Sequence, residues 1–183
     1  MSFKKVGRIY IQDKPFEGIL RSAYECLNVE CMGFLFGKSI ADKNFVIQQV
    51  HPIQLARRTA CSSQPLSGVR AGWSFMHDYL GSMHSHVPSR CQIDKVQDYI
   101  RAYADISPSD KADFLEDENS IELILALNFV RVRRKLINSP YKIAGYIKPE
   151  NRTYRFELIG YYKDPRIRRA QLEISDRARS FIS

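Results

Sequence analysis

No apolar run in this chain approaches the ~20 residues needed to cross a bilayer. The longest, residues 121–130, is interrupted by Glu122 and Asn128. No apolar segment follows the opening Met-Ser-Phe-Lys-Lys-Val, so no signal peptide is visible. These absences lead us to expect a cytoplasmic protein with no membrane partner. Cysteine is scarce: Cys26, Cys31, Cys61 and Cys91 form no C-x-x-C pair and show no zinc-finger spacing. In a cytosolic chain they are expected to be reduced and partly buried. Internal repeats, low-complexity tracts and recognised RNA- or DNA-binding motifs are all missing. What remains is 183 residues, 44% hydrophobic and 26% charged, the profile of one ordinary folded domain.

The net charge of +8 is unevenly placed. Residues 1–130 hold 14 Lys/Arg and 15 Asp/Glu, whereas residues 131–183 hold 14 and 5. The basic excess therefore belongs to the last third, where it could attract an acidic partner, nucleic acid or an anionic surface.

Apolar residues at i, i+3, i+4, i+7 and i+8 predict a helix over 14–27, with Pro15 in its first turn. A continuous apolar run bounded by glycine, 31–37, predicts a buried strand. Further strands are expected at 45–53, 79–83, 121–132, 141–148 and 153–162, the last two joined by a turn at 149–152. Residues 94–104 read as a helix and 107–119 as an acidic exposed loop. From Pro165 the spacing of Ile167, Ala170, Ile174, Ala178 and Phe181 predicts a C-terminal amphipathic helix. The expected class is α+β: a mixed sheet flanked by helices over residues 1–163, then a basic helix over 164–183. That helix could pack on the domain or on a second subunit as a homodimer.

The chemistry-bearing constellation is small. Two of the four histidines stand one residue apart, His84-Ser85-His86. At the end of a strand both rings point to one side and can share an ion. Glu30 opens a buried strand, a costly place for a carboxylate unless something polar faces it. Two histidines, one carboxylate ligand and one non-ligating Glu make a zinc-hydrolase donor set.

Glu30-Cys-Met-Gly-Phe-Leu-Phe-Gly37 and Leu80-Gly-Ser-Met-His-Ser-His86 together resemble two parts of the JAMM motif of the MPN (Mov34/JAB) domain, prokaryotic type. That motif is a Glu before a glycine-flanked strand, then H-[S/T]-H-P, then S-x-x-D. The resemblance implies an MPN/JAB-like (cytidine-deaminase-like) fold. It also implies a Zn²⁺-dependent isopeptidase acting at the C-terminal tail of a ubiquitin-like protein. Glu30 matches the general base, and His84 and His86 match two zinc ligands. The third part departs from the pattern, since Val87 stands in place of Pro. A gapless count puts the Ser on Asp94 and the Asp on Gln97; one inserted residue puts them on Lys95 and Asp98.

Asp94 and Gln97 also read as a capping box, which favours the first register. A carboxylate is the better zinc ligand, which favours Asp98, with Asp94 and Gln97 as alternatives. Lys95 is the candidate for supporting an oxyanion. Two rival readings stand beside the enzyme. One is a catalytically inactive MPN domain serving as a protein-binding module, which the altered S-x-x-D segment favours. The other is a nucleic-acid-associated protein using the basic third, where charge alone gives no specificity and nucleic acid is not the expected partner.

Overall fold

A computed structural model describes residues 6–27, 29–40, 43–53, 56–58, 63–65, 78–93, 96–100, 102–137 and 139–182. Of 56–58, 63–65, 89–93 and 96–100 it describes the backbone only. Strand β1 (Arg8–Ile11) leads into helix α1 (Asp13–Glu25), whose apolar stripe buries Phe16, Ile19, Leu20 and Ala23. The glycine-flanked apolar run becomes β2 (Met32–Ile40), followed by β3 (Asn44–Pro52). Then come β4 (Ala56–Arg58), β5 (Ser63–Pro65), the histidine strand β6 (Tyr79–His86), β7 (Ser89–Ile93) and β8 (Val96–Ile100). Helix α2 (Pro108–Glu116) precedes β9 (Ile121–Phe129), β10 (Ile143–Ile147) and β11 (Tyr154–Asp164). The chain ends with β12 (Arg166–Arg169), β13 (Gln171–Ile174) and the single-turn α3 (Asp176–Ser180).

Nine of these strands form one mixed sheet in the order β10-β11-β9-β6-β2-β3-β1-β13, with β12 also paired to β11. The pairs β6–β9, β1–β3 and β1–β13 are parallel. The path β11–β12–β13 carries the chain from one side of the sheet to the free edge of β1. Ala170 N–H donates to Gly160 O (2.8 Å) on the way, and Gln171 N–H donates to Gly7 O (2.9 Å). The sheet therefore curls almost into a barrel, which satisfies edge groups that would otherwise be unpaired.

Strand β9 is buried on both faces, as its unbroken apolar run requires. Leu123 and Leu125 join α1, Ile9, Phe156, Leu158 and Leu172 in the main core, with Phe16 edge-on to Phe156 at 6.0 Å. Ile124 and Ala126 pack on the other face under Ala102, Ala104 and Phe114. That second face carries the functional groups.

The fold class expected from the sequence is overturned. This is a sheet-dominated, nearly closed barrel rather than an MPN-like α+β domain flanked by helices, and the three α-helices among the described residues have 13, 9 and 5 residues. Three segments account for the difference. Residues 96–100 pair with 89–93 as a hairpin instead of forming a helix over 94–104. Residues 166–174 fall in two strands of the main sheet, so of the helix expected over 164–183 only α3 is helical among the described residues. Leu172 and Ile174 are buried while Glu173 is exposed, a period of two that the free edge of β1 selects over the helical period. Conversely, 108–116 is a helix because Ser107 and Asp110 form a reciprocal capping box with Pro108 at the first turn.

One glycine fixes the histidine strand. Gly81 has φ +154°, and a Cβ there would lie 1.9 Å from Ile121 O. The β2–β6 register shifts beside it, between Leu35 and Phe36. A shift of one residue exchanges the faces of a strand, so this irregularity sets which way His84 and His86 point.

Candidate metal centre

His84 and His86 leave β6 on one face, where His84 lies beside Ile124 and His86 beside Ala126 of β9. Above them stands the first turn of α2. Its capping box holds the Asp110 carboxylate in place: Ser107 N–H donates to Asp110 Oδ2 (2.8 Å) and Asp110 N–H donates to Ser107 Oγ (3.1 Å). His84 Nε2 and His86 Nε2 are 3.1 Å apart, and Asp110 Oδ2 is 3.7 Å from the first and 3.4 Å from the second. Tetrahedral ligands about 2.1 Å from an ion are separated by roughly 3.4 Å. The three donor atoms thus have the spacing of a coordination shell, and this His-His-Asp group could hold a metal ion.

The outer partners settle which nitrogens face inward. His86 Nδ1 lies 2.6 Å from Tyr103 O, an atom that only accepts, so Nδ1 carries the proton. His84 Nδ1 donates to Glu122 Oε1 at 2.9 Å. Both Nε2 lone pairs therefore point at each other and at a carboxylate oxygen, an arrangement that calls for a cation or a proton between them. Glu122 is buried and also accepts from Ser82 Oγ (2.6 Å). Asn119 Nδ2 donates to Ser82 Oγ (2.8 Å), and Tyr79 Oη donates to Asn119 Oδ1, which extends the chain of bonds through the wall of the site.

Burial alone would lower the pKa of His84, but hydrogen bonds and charge from Asp110 and Glu122 outweigh it and push it up to about 10. For Asp110, burial acts upward, yet the two histidines and the Ser107 hydrogen bond hold the carboxyl well below the usual range. Glu30 is 8% exposed. Burial raises its carboxyl above the ordinary value, with opposing pulls from His84 and His86 and a further push from Asp110. The next residue is tied to the histidine strand: Cys31 N–H donates to Ser85 Oγ (2.9 Å), and Ser85 N–H donates to Cys31 O (2.9 Å).

His84 and His86 are thus brought together, and Glu30 lies within their electrostatic reach. Gln97 and Asp98 lie on β8 rather than at a helix start, and their side chains are outside the described residues. Asp94 and Lys95 lie outside the described residues altogether. Among the described residues, Asp110 is the carboxylate that completes a group with the two histidines. Ser107-Pro-Ser-Asp110 spells S-x-x-D, 21 residues after His86, with the β7–β8 hairpin intervening. Glu122 was missed as well, although a carboxylate inside an otherwise apolar run was its signal. Asn128, the other interruption, clamps Ala102: its Oδ1 accepts from Ala102 N–H (2.9 Å) and its Nδ2 donates to Ala102 O (3.0 Å). The next residue, Tyr103, supplies the carbonyl that orients His86.

Comparison with known proteins adds little to this geometry. No family model matches the chain, and no curated protein matches it. The solution structure of protein DSY2949 from Desulfitobacterium hafniense is similar over 91% of this chain and 92% of that one, at 16% identity and a TM-score of 0.46. Among the described residues, no helix is long and apolar enough to cross a membrane.

Proposed function

We propose that the protein is a zinc-dependent amide hydrolase of the JAMM type, with His84, His86 and Asp110 as the zinc ligands and Glu30 as the general base. The observation that carries this reading is the convergence of three oriented donors beside a buried glutamate. Nitrogen and carboxylate donors in a set of three suit zinc and leave a coordination position open. When bound, zinc would supply a Lewis acid and lower the pKa of a water to about 7.

The remaining work falls to the chain's own groups. Glu30, with its carboxyl raised by burial, accepts a proton from the attacking water and returns it to the leaving amine. Ser107 Oγ accepts the Asp110 N–H, and its hydroxyl proton is free for a carbonyl oxygen when Ser109 is the donor in their 2.8 Å pair. The S-x-x-D spelling of 107–110 removes the sequence ground for an inactive binding module. The substrate class that follows is an extended protein tail, consistent with a ubiquitin-like C-terminus.

The test is metal content together with turnover of a Gly-Gly-terminated peptidyl aminocoumarin amide. The wild-type chain is expected to hold about one zinc. Asp110→Ala should lose it, while Glu30→Gln should keep it and lose activity by about 10²–10⁴-fold. Wild-type protein that takes up no zinc, or a Glu30→Gln variant with undiminished turnover, sinks the reading.

A further inference from the structure

Strands β6 and β9 run parallel, so the chain beyond β9 leaves the sheet at the end where His86 lies. Arg131 is five residues past Ala126, the strand partner of His86, roughly 17 Å of extended chain. From there Arg131-Val-Arg-Arg-Lys135 places four cations in five residues. No Asp or Glu occurs between Glu122 and Glu150. Among the described residues, none of Arg131, Arg133, Arg134 and Lys135 has an acidic partner. Glu150, in the turn after β10, is engaged by Tyr24.

This segment is held rather than loose. Tyr146 Oη accepts the Arg134 N–H (2.7 Å) and donates to Arg134 O (2.6 Å). The Arg133 guanidinium sits over the same ring at 5.5 Å. The pinned loop presents Val132 and Ile137, 72% and 77% exposed, among the cations, with Phe129 at its base 55% exposed. Exposed aliphatic groups set within unneutralised arginines match the make-up of protein interfaces, where an apolar centre is rimmed by charge and Arg is enriched. A phosphate backbone would leave Val132 and Ile137 without a counterpart.

We infer that the 129–137 loop is a docking surface for an acidic, partly apolar segment of a protein partner. At the same end of the sheet as His86, and resting on the amide-hydrolase reading for this point alone, that partner is the protein whose tail enters the site. The basic excess then serves to steer and hold the substrate rather than to perform chemistry.

Fluorescence anisotropy on the full chain tests this. The probes are a fluorescein-labelled peptide of Glu-Glu-Leu repeats, its Lys-Lys-Leu counterpart, a dT oligonucleotide and phosphatidylcholine vesicles with about a third phosphatidylserine. The acidic peptide is expected to bind at least about tenfold tighter than the basic one, weakening as salt rises. Arg131→Glu with Arg134→Glu should cost at least about tenfold in that affinity with zinc content unchanged. Val132→Ser should cost a smaller factor. Should the double variant fold poorly, Arg131→Gln takes its place, with at least a twofold loss expected. Unchanged affinity in the charge variants, or tighter binding of the oligonucleotide or vesicles, overturns the inference. Glu30→Gln should leave peptide binding intact, so failure of the metal reading and failure of the docking surface are told apart.

Discussion

On the wall formed by β6 and β9, each ionisable group has an assigned neighbour: Glu122 holds His84, Tyr103 O holds His86, and the α2 cap holds Asp110. Beyond β9 and along β12 most charges are exposed, and they meet solvent, the Tyr146 ring in the case of Arg133, or single surface partners such as Asp105 for Arg169. Both regions belong to the same sheet, and the difference lies in burial. A polar group removed from water must find its partner within the fold, so its geometry is fixed before any ligand arrives. An exposed cation is under no such demand and contributes a field instead of a shape. On the proposed reading, the buried wall orients an ion and the basic end attracts a surface.

The contrast breaks most sharply at Asn128. Replacing it with Ala leaves Ala102 N–H and C=O buried without partners, at about 1–3 kcal/mol for each group. Chemical denaturation should show a loss of about 3 kcal/mol in Asn128→Ala, and a loss under about 0.5 kcal/mol would mean that water reaches this wall. Glu122→Gln is the next probe, since it keeps the size of the side chain and removes its charge. Zinc affinity measured by chelator competition should fall about 10–100-fold while the fold is retained. Affinity unchanged within twofold would show that Glu122 orients nothing.

Both residues were visible in the sequence as breaks in an apolar run, yet only their interrupting effect was legible. Which face a strand residue occupies depends on register, and here register depends on the irregularity beside Gly81. The histidine pair and Glu30 could be read because they are local: alternation aims two side chains one way, and a carboxylate at the mouth of a buried strand needs a polar neighbour. Asp110 could not be placed, because 23 residues separate it from His86 and only the fold closes that gap. The same limit explains the C-terminal error. Ile167, Ala170 and Ile174 satisfy a helical period, while Leu172 and Ile174 satisfy a strand period. The vacant edge of β1, which decides between them, lies more than 150 residues earlier.

Titration sharpens the same contrast. The pKa of His84 is raised to about 10, so at neutral pH the metal-free site holds a proton between its donors. On the proposed reading zinc displaces that proton, and its apparent affinity should rise about tenfold per pH unit through the neutral range, with one proton released per ion bound. In the metal-free protein the sign is reversed. The raised pKa stabilises the fold fully below about 6.5, the unfolded value, and that contribution is lost as pH climbs through about 10. Calorimetry in buffers of different ionisation enthalpy measures the proton count. A count near zero at pH 7 would mean that the two lone pairs are kept apart by something other than a proton.

The smallest effect is expected at the exposed end. The Arg169–Asp105 pair joins side chains 51% and 60% exposed, so solvent screens it and ordering two long groups offsets its attraction. Arg169→Ala should change stability by less than about 1 kcal/mol, with the difference shrinking further in molar salt. It should also leave zinc content untouched, although Asp105 lies only two residues from Tyr103, whose carbonyl orients His86. The site is insulated because Tyr103 is held from the other side, through Ala102 and Asn128, and not through this ion pair. A loss above about 2 kcal/mol, or a drop in bound zinc, would show that the wall and the basic surface are one coupled unit and that the distinction between them is wrong.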